Sequence, residues 1–123
     1  MNTTIANNKL IAFFMGFKML VENYHGIYFI ESPTKKTYDL QGLKYDSDWN
    51  WLMLVVENIN LLSKFDKNFF GVSTQYYNRC LIHCYKNEQR VHTIDILNSE
   101  TNIQATYLAV IEFINWYNSC KSK

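Results

Sequence analysis

Residues 72–97 read VSTQYYNRCLIHCYKNEQRVHTIDIL, and this stretch decides the fold. Two runs, Val72–Tyr85 and Val91–Leu97, are rich in tyrosine, valine, isoleucine and threonine, which favour strands. The polar residues between them, Lys86 to Gln89, are typical of a turn. The stretch therefore predicts a long strand over 72–85 that turns back into an antiparallel strand over 91–97.

A helix is predicted on each side of this hairpin. Asp46 or Ser47 can cap the first, which should run to about Lys64. Asn98 or Ser99 can cap the second, which is expected from about Glu100 to Asn118, because short polar side chains accept hydrogen bonds from first-turn amides.

The N-terminal part predicts one more helix and three short strands. Glycine accepts the left-handed conformation that ends helices, so Gly16 is expected to end a helix over about Ile5–Met15. Pro33 marks the segment from Glu31 to Lys35 as a turn between the last two strands. The strands are expected at Phe17–Val21, Gly26–Ile30 and Lys36–Leu40.

The order of these elements predicts an α+β fold with a mostly antiparallel sheet and helices packed on it. The chain has 123 residues, of which 48% are hydrophobic, and it contains one proline and four glycines. That length suits one core, and no linker composition marks a boundary. We therefore expect a single domain over residues 1–123.

Both long helices carry apolar residues beyond the single stripe that would pack against one sheet face. The predicted core stripes follow the helical repeat: Leu52, Val55, Val56, Ile59 and Leu62 in the first helix, and Ile103, Tyr107, Val110, Ile114 and Tyr117 in the second. Trp49 and Trp51 flank the first stripe on opposite sides. Either the helices lie side by side on one sheet face, or part of this surface contacts another subunit or partner.

Composition excludes several classes of protein. A formal charge of +1 provides no overall positive electrostatic field that would attract DNA or an acidic membrane to the surface. No segment reaches the about 20 apolar residues of a membrane-spanning helix. The best candidate for a signal peptide is the segment from Lys9 to Val21, but the charged Lys18 interrupts its apolar run. Three cysteines fit free thiols in a reduced compartment, so we expect a location inside a cell.

No motif predicts catalysis, a metal or a cofactor. In a strand, Cys80 and Cys84 share a face but lie about 13 Å apart, while His83 points to the other face. Asp46 and Asp48 are explained as capping residues, and no glycine-rich phosphate loop is present. An enzyme would need a site assembled from scattered residues such as His25, His83 and a carboxylate.

The helical segments together resemble a known family. Residues 9–16 (KLIAFFMG), 47–57 (SDWNWLMLVVE) and 103–117 (IQATYLAVIEFINWY) are similar to small uncharacterised proteins of bacteriophages and prophages. The layout resembles the phage α-β-α sandwich domain family, although Phe13 replaces a usual acidic residue and Leu54 a frequent proline. The resemblance implies a sandwich-like fold and a small accessory protein in the cytoplasm of an infected bacterium.

These observations predict a non-enzymatic, self-associating binding protein. Its expected role is counter-defence, either by blocking a host protein or by sequestering a small signalling nucleotide. The alternative is a structural or assembly protein of the phage, which predicts a large oligomer. The candidate binding or interface residues are Trp49, Trp51, Trp116, Arg79 and Arg90.

Overall fold

The computed structural model describes residues 3–20 and 29–121. Three α-helices are present in these ranges: α1 (Thr3–Phe14), α2 (Trp49–Asn60) and α3 (Asn102–Lys121). Six strands form two antiparallel sheets: β1 (Lys18–Met19), β2 (Phe29–Glu31), β3 (Thr37–Asp39), β4 (Phe69–Tyr76), β5 (Arg79–Lys86) and β6 (Gln89–Ile96). The predicted α+β class with antiparallel sheets is confirmed.

The larger sheet is a meander in the order β4-β5-β6. The predicted single strand over 72–85 is wrong, because the chain turns at Tyr77 and Asn78 and forms β4 and β5. Both turn residues have positive φ, as do Asn87 and Glu88 at the second turn. Two consecutive residues of positive φ make a type I′ turn, which matches the twist of a hairpin.

The smaller sheet pairs β1 with β2 and β2 with β3. Its strands are shorter than predicted, and residues 21 and 26–28 of the predicted strands lie outside the described residues. The turn after Glu31 is present as predicted. The Ser32 hydroxyl accepts from the Lys36 amide at 3.1 Å, and Lys35 has a φ of 71°.

Helix α1 ends as the sequence predicts, with Gly16 at a φ of +89° just beyond it. Helix α2 differs at both ends. Its N-cap is Asp48, not Asp46 or Ser47, and the Asp48 carboxylate accepts from the Asn50 amide at 2.8 Å. Its α-helical part ends at Asn60, after which a 3-10 turn covers Leu62–Lys64.

Helix α3 also begins later than predicted. Neither Asn98 nor Ser99 caps it. The Thr101 hydroxyl accepts from the Gln104 amide at 3.1 Å, while the Gln104 side chain accepts from the Glu100 amide at 2.8 Å. This arrangement is close to a capping box.

The core lies between the larger sheet and two helices. The predicted stripe of α2 is fully buried, and that of α3 is buried except for the half-buried Ile103. Helices α2 and α3 contact each other and the same face of the sheet, which is the first of the two predicted alternatives. Helix α1 packs on α3.

Gly71 allows α2 and α3 to approach the sheet closely. A Cβ atom there would lie 2.7 Å from Ile59 Cγ2 of α2 and 2.8 Å from Phe113 Cε1 of α3. Real Cβ contacts are essentially never that short, so any other residue would force Ile59 or Phe113 to shift. Gly71 thus marks the point where the three elements meet.

Candidate functional site

The face of the larger sheet that points away from α2 and α3 is partly apolar. Its alternate residues are buried against the helices, whereas Val72 is 46% exposed and Tyr76 40% exposed. An antiparallel sheet with one solvated face normally carries polar residues there. We call this surface the open sheet face. Its apolar and aromatic residues are Phe70, Val72, Tyr76, Leu81 and Tyr85, and its polar residues are Thr74, Arg79, His83, Arg90, Thr93 and Asp95.

Cross-strand pairing brings these residues together. Phe70 lies opposite Tyr85, and their rings stack with centroids 4.6 Å apart and an interplanar angle of 3°. Val72 lies opposite His83, whose Nδ1 is 3.4 Å from the Thr93 hydroxyl on β6. The centre of the open sheet face is therefore aromatic and aliphatic, with one imidazole.

Arg79 lies at one end of this face and is held in place by two partners. It donates to Asp95 through Nε (2.9 Å) and Nη2 (2.8 Å), and through Nη1 to the Tyr76 hydroxyl at 3.0 Å. The hydrogen bond from Arg79 lowers the pKa of Asp95, and the same bond raises the pKa of Arg79. The guanidinium is thus already paired with a carboxylate.

Arg90 lies at the opposite end of the sheet from Arg79. It is exposed and pairs with Tyr85 next to the second turn, whereas Arg79 follows the first turn. The structure therefore does not bring the two predicted arginines together.

The three tryptophans lie in three different environments. Trp51 packs edge-on against Tyr38 and Tyr45, with centroids 5.3 and 5.2 Å away. Trp116 contacts Phe69 and Phe113, and its ring stacks on His92. Trp49, at the start of α2, is 38% exposed. The tryptophans do not form one aromatic surface.

A groove of about 590 Å³ opens between the ends of α1 and α3 and the segment after α2. Its lining includes Phe13, Phe14, Phe65 and Tyr117, and Phe65 is 75% exposed. The Tyr117 hydroxyl donates to Asp66 at 3.1 Å, and Lys121 lies over the Tyr117 ring. The sequence did not predict this groove, because its walls are distant from one another in the chain.

A second, more polar cleft of about 500 Å³ lies between α1 and the loop before α2. Asn8 is buried at its base and donates through Nδ2 to the Leu43 carbonyl (3.1 Å) and to Asp46 (3.0 Å). Asn8 Oδ1 accepts from the Tyr107 hydroxyl at 2.9 Å. Since both ends of its amide have protein partners, Asn8 serves the fold at this point.

The cysteines and histidines form no common site in the described part of the chain. Cys80 and Cys84 are buried on β5, facing the helices, while His83 lies on the open sheet face, as the strand geometry predicts. Burial raises the pKa of Cys84 to about 12 and raises that of Cys80. Among residues 3–20 and 29–121, no group of acidic, histidine or cysteine side chains could hold a metal. His25 lies outside the described residues.

The open sheet face was not predicted as a unit, although its pattern is present in the sequence. On the open face, Phe70, Val72 and Tyr76 of β4 and Leu81 and Tyr85 of β5 are aromatic or aliphatic, more than a solvated sheet face normally carries. Because the sequence predicted one continuous strand over 72–85, it could not predict that the residues of β4 lie opposite those of β5.

A scan of protein-family models and searches of curated proteins and of solved structures find no match to the chain. The resemblance to a phage family therefore stays a prediction. Within the described residues, no helix combines the length and apolar character needed to cross a membrane.

Proposed function

We propose that the protein is a non-enzymatic binding protein that contacts a partner protein through the open sheet face. The observation that carries this proposal is the apolar, aromatic character of a sheet face that no described element covers. Contiguous exposed apolar surface commonly marks a protein interaction site. Aromatic residues and arginine are also enriched in interface cores.

The arrangement of charged side chains at the candidate sites suits a protein partner better than a signalling nucleotide. Phosphates need free cationic groups or backbone amides that converge on them. Arg79 is paired with Asp95, and Lys121 in the groove lies near Asp66. In the polar cleft, Lys44 is accompanied by Asp46 and Asp48. We therefore favour the blocking of a protein over the sequestration of a nucleotide.

The biological context of this proposal comes from the resemblance to phage proteins. From this resemblance we propose that the protein acts in the cytoplasm of an infected bacterium and that its partner is a host protein. The contact of His83 with Thr93, rather than with a carboxylate, gives no support to the enzymatic alternative.

Site-specific photo-crosslinking in bacterial cells tests the proposal. A photoreactive residue at Val72, on the open sheet face, should give a discrete adduct with another protein. The matched control is Leu54, which is 58% exposed on α2 and should not give that adduct. Mass spectrometry of the Val72 adduct then identifies the partner.

Binding of the purified partner is measured next by calorimetry. Val72→Lys should weaken the affinity by about tenfold or more, as expected for a charge placed in an apolar contact. Leu54→Lys should leave the affinity unchanged. Adducts of equal yield at Val72 and Leu54, or an affinity insensitive to Val72→Lys, would overturn the proposal.

A further inference from the structure

The two outer strands of the larger sheet, β4 and β6, have different edges. In a two-residue hairpin the residues that flank the turn exchange hydrogen bonds, and every second residue after them points its backbone groups outward. Counting from the turn at Tyr77 and Asn78, the outward residues of β4 include Ser73 and Gln75. The pairing of Cys84 with His92, of Ile82 with Ile94 and of Cys80 with Ile96 makes Thr93 and Asp95 outward residues of β6, whereas Val91 is the additional residue of a bulge.

The edge of β4 is blocked by a side chain of α2. Asn60 Oδ1 accepts from the outward Ser73 amide at 3.1 Å, and Asn60 Nδ2 donates to the Ser73 hydroxyl at 3.4 Å. A strand that approached β4 would have to displace this side chain. Covering an edge in this way is a common protection against pairing with another chain.

The edge of β6 has no such cover from the described residues. Among the described residues, none of the backbone hydrogen bonds outside the regular elements involves the outward amides or carbonyls of Thr93 or Asp95. The strand is eight residues long and contains no proline or lysine, which are two usual protections of an edge. A bulge is present only near its start, opposite Cys84 and Tyr85.

We propose that β6 pairs with β6 of a second copy of this chain, antiparallel and centred on Thr93, to form a continuous six-stranded sheet. In this register Thr93 lies opposite Thr93 of the partner copy, and Val91 lies opposite Asp95. Thr93 of each copy then exchanges hydrogen bonds with Thr93 of the other across the dyad, about two in total, and the outward groups of Asp95 face the bulge at Val91 of the other copy.

The charged side chains of β6 favour a second copy of this chain as the pairing partner, and they favour antiparallel over parallel pairing. The charged side chains of β6 are Arg90 and Asp95, which have opposite signs and lie towards opposite ends of the strand. Their partners on β5, Tyr85 and Leu81, lie on the open sheet face, so both charges lie on that face. Antiparallel pairing places Arg90 of each copy beside Asp95 of the other, whereas parallel pairing would oppose like charges.

Asp95 can accept from Arg90 of the second copy while it remains bound to Arg79. An ionised carboxylate has about four acceptor positions, and Arg79 occupies two of them. The pairing uses the edge of the sheet and leaves the open sheet face free, so it does not rest on the proposed function.

Light scattering after size-exclusion chromatography, over a range of protein concentrations, measures the pairing. The wild type should reach twice the chain mass of 14.6 kDa. Thr93→Pro removes one outward amide and no backbone bond to β5, although it also removes the hydroxyl that lies 3.4 Å from His83 Nδ1, and it should give a monomer. Gln75→Pro removes the corresponding outward amide from β4, and this control should stay dimeric.

Thr93→Lys provides a variant that needs no change in backbone. The Thr93 side chain is exposed and its contact is with His83 at 3.4 Å, so we expect the lysine variant to fold. It places two positive charges opposite each other at the dyad. It should raise the dimer dissociation constant by about tenfold or more, and circular dichroism should confirm that it is folded. A monomeric wild type, or a dimer unaffected by Thr93→Lys, would overturn the proposal.

Discussion

Asn8 shows how one buried polar side chain can join distant parts of this chain. It bonds to Leu43 and Asp46 in the loop before α2, and to Tyr107 on α3, which is 99 residues away. The sequence around it, Asn7-Asn8-Lys9, is typical of a helix surface. Its burial could not be predicted, because its three partners come together only when the tertiary structure forms.

The phenol of Tyr107 makes this network sensitive to high pH. Burial, and secondarily the nearby Asp46 carboxylate, raise the pKa of Tyr107 to about 12, from about 10 in an unfolded chain. The neutral phenol therefore contributes to stability fully below pH about 10, and this contribution is lost as the pH rises to about 12.

We expect Tyr107→Phe to lower the free energy of unfolding at pH 7 by about 1–2 kcal/mol, because Asn8 Oδ1 loses its donor inside the protein. It should also reduce the fall in stability between pH about 10 and 12. Urea unfolding at several pH values measures both effects. Tyr77→Phe, at a position 91% exposed, is the control and should change neither. An unchanged pH dependence in Tyr107→Phe would contradict this account.

The periodicity of apolar residues predicted the helices and their core stripes, but the residue types at the first hairpin turn did not predict that turn. The buried faces of α2 and α3 were predicted because the apolar repeat lies within each segment. The turn at Tyr77 and Asn78 was missed because it contains neither glycine nor proline. Tyrosine rarely adopts positive φ, so its conformation here is imposed by the pairing of β4 with β5.

Gly71 gives a test of how tightly these elements pack. Gly71→Ala would place a methyl group against Ile59 and Phe113, and overpacking of this kind costs about 1–3 kcal/mol. Val72→Ala, one residue further along β4 but on the open sheet face, should cost about 0.5 kcal/mol or less. Chemical denaturation compares the two variants. An equal loss of stability in both would show that the helices are not in close contact with the strand at Gly71.

In the molecule as a whole, β5 and α3 occupy the centre. Strand β5 has a neighbour on each side, and α3 contacts α1, α2 and all three strands of the larger sheet. The smaller sheet has strands of two or three residues. Which surfaces stay exposed depends on these long-range contacts, so neither the open sheet face nor the β6 edge could be predicted from local patterns.

Hydrogen exchange should distinguish the central elements β5 and α3 from the strands of the smaller sheet. Amides of β5 and α3 are expected to exchange only through global unfolding, whereas those of β1, β2 and β3 should exchange at least about tenfold faster through local opening. Mass spectrometry of peptides from each element measures the rates. Equal protection in both sheets would mean that the chain opens only as one cooperative unit.

The contact between Asn60 and Ser73 has a consequence for assembly. If both edges of the sheet were open, β6 of one copy could add to β4 of the next, and nothing would stop the growth of a filament. Because Asn60 accepts from the Ser73 amide of β4, the proposed pairing would be restricted to β6 with β6, which closes after two copies. In the proposed dimer, a single amide side chain would thus limit a sheet with two pairing edges to a closed, two-fold symmetric particle.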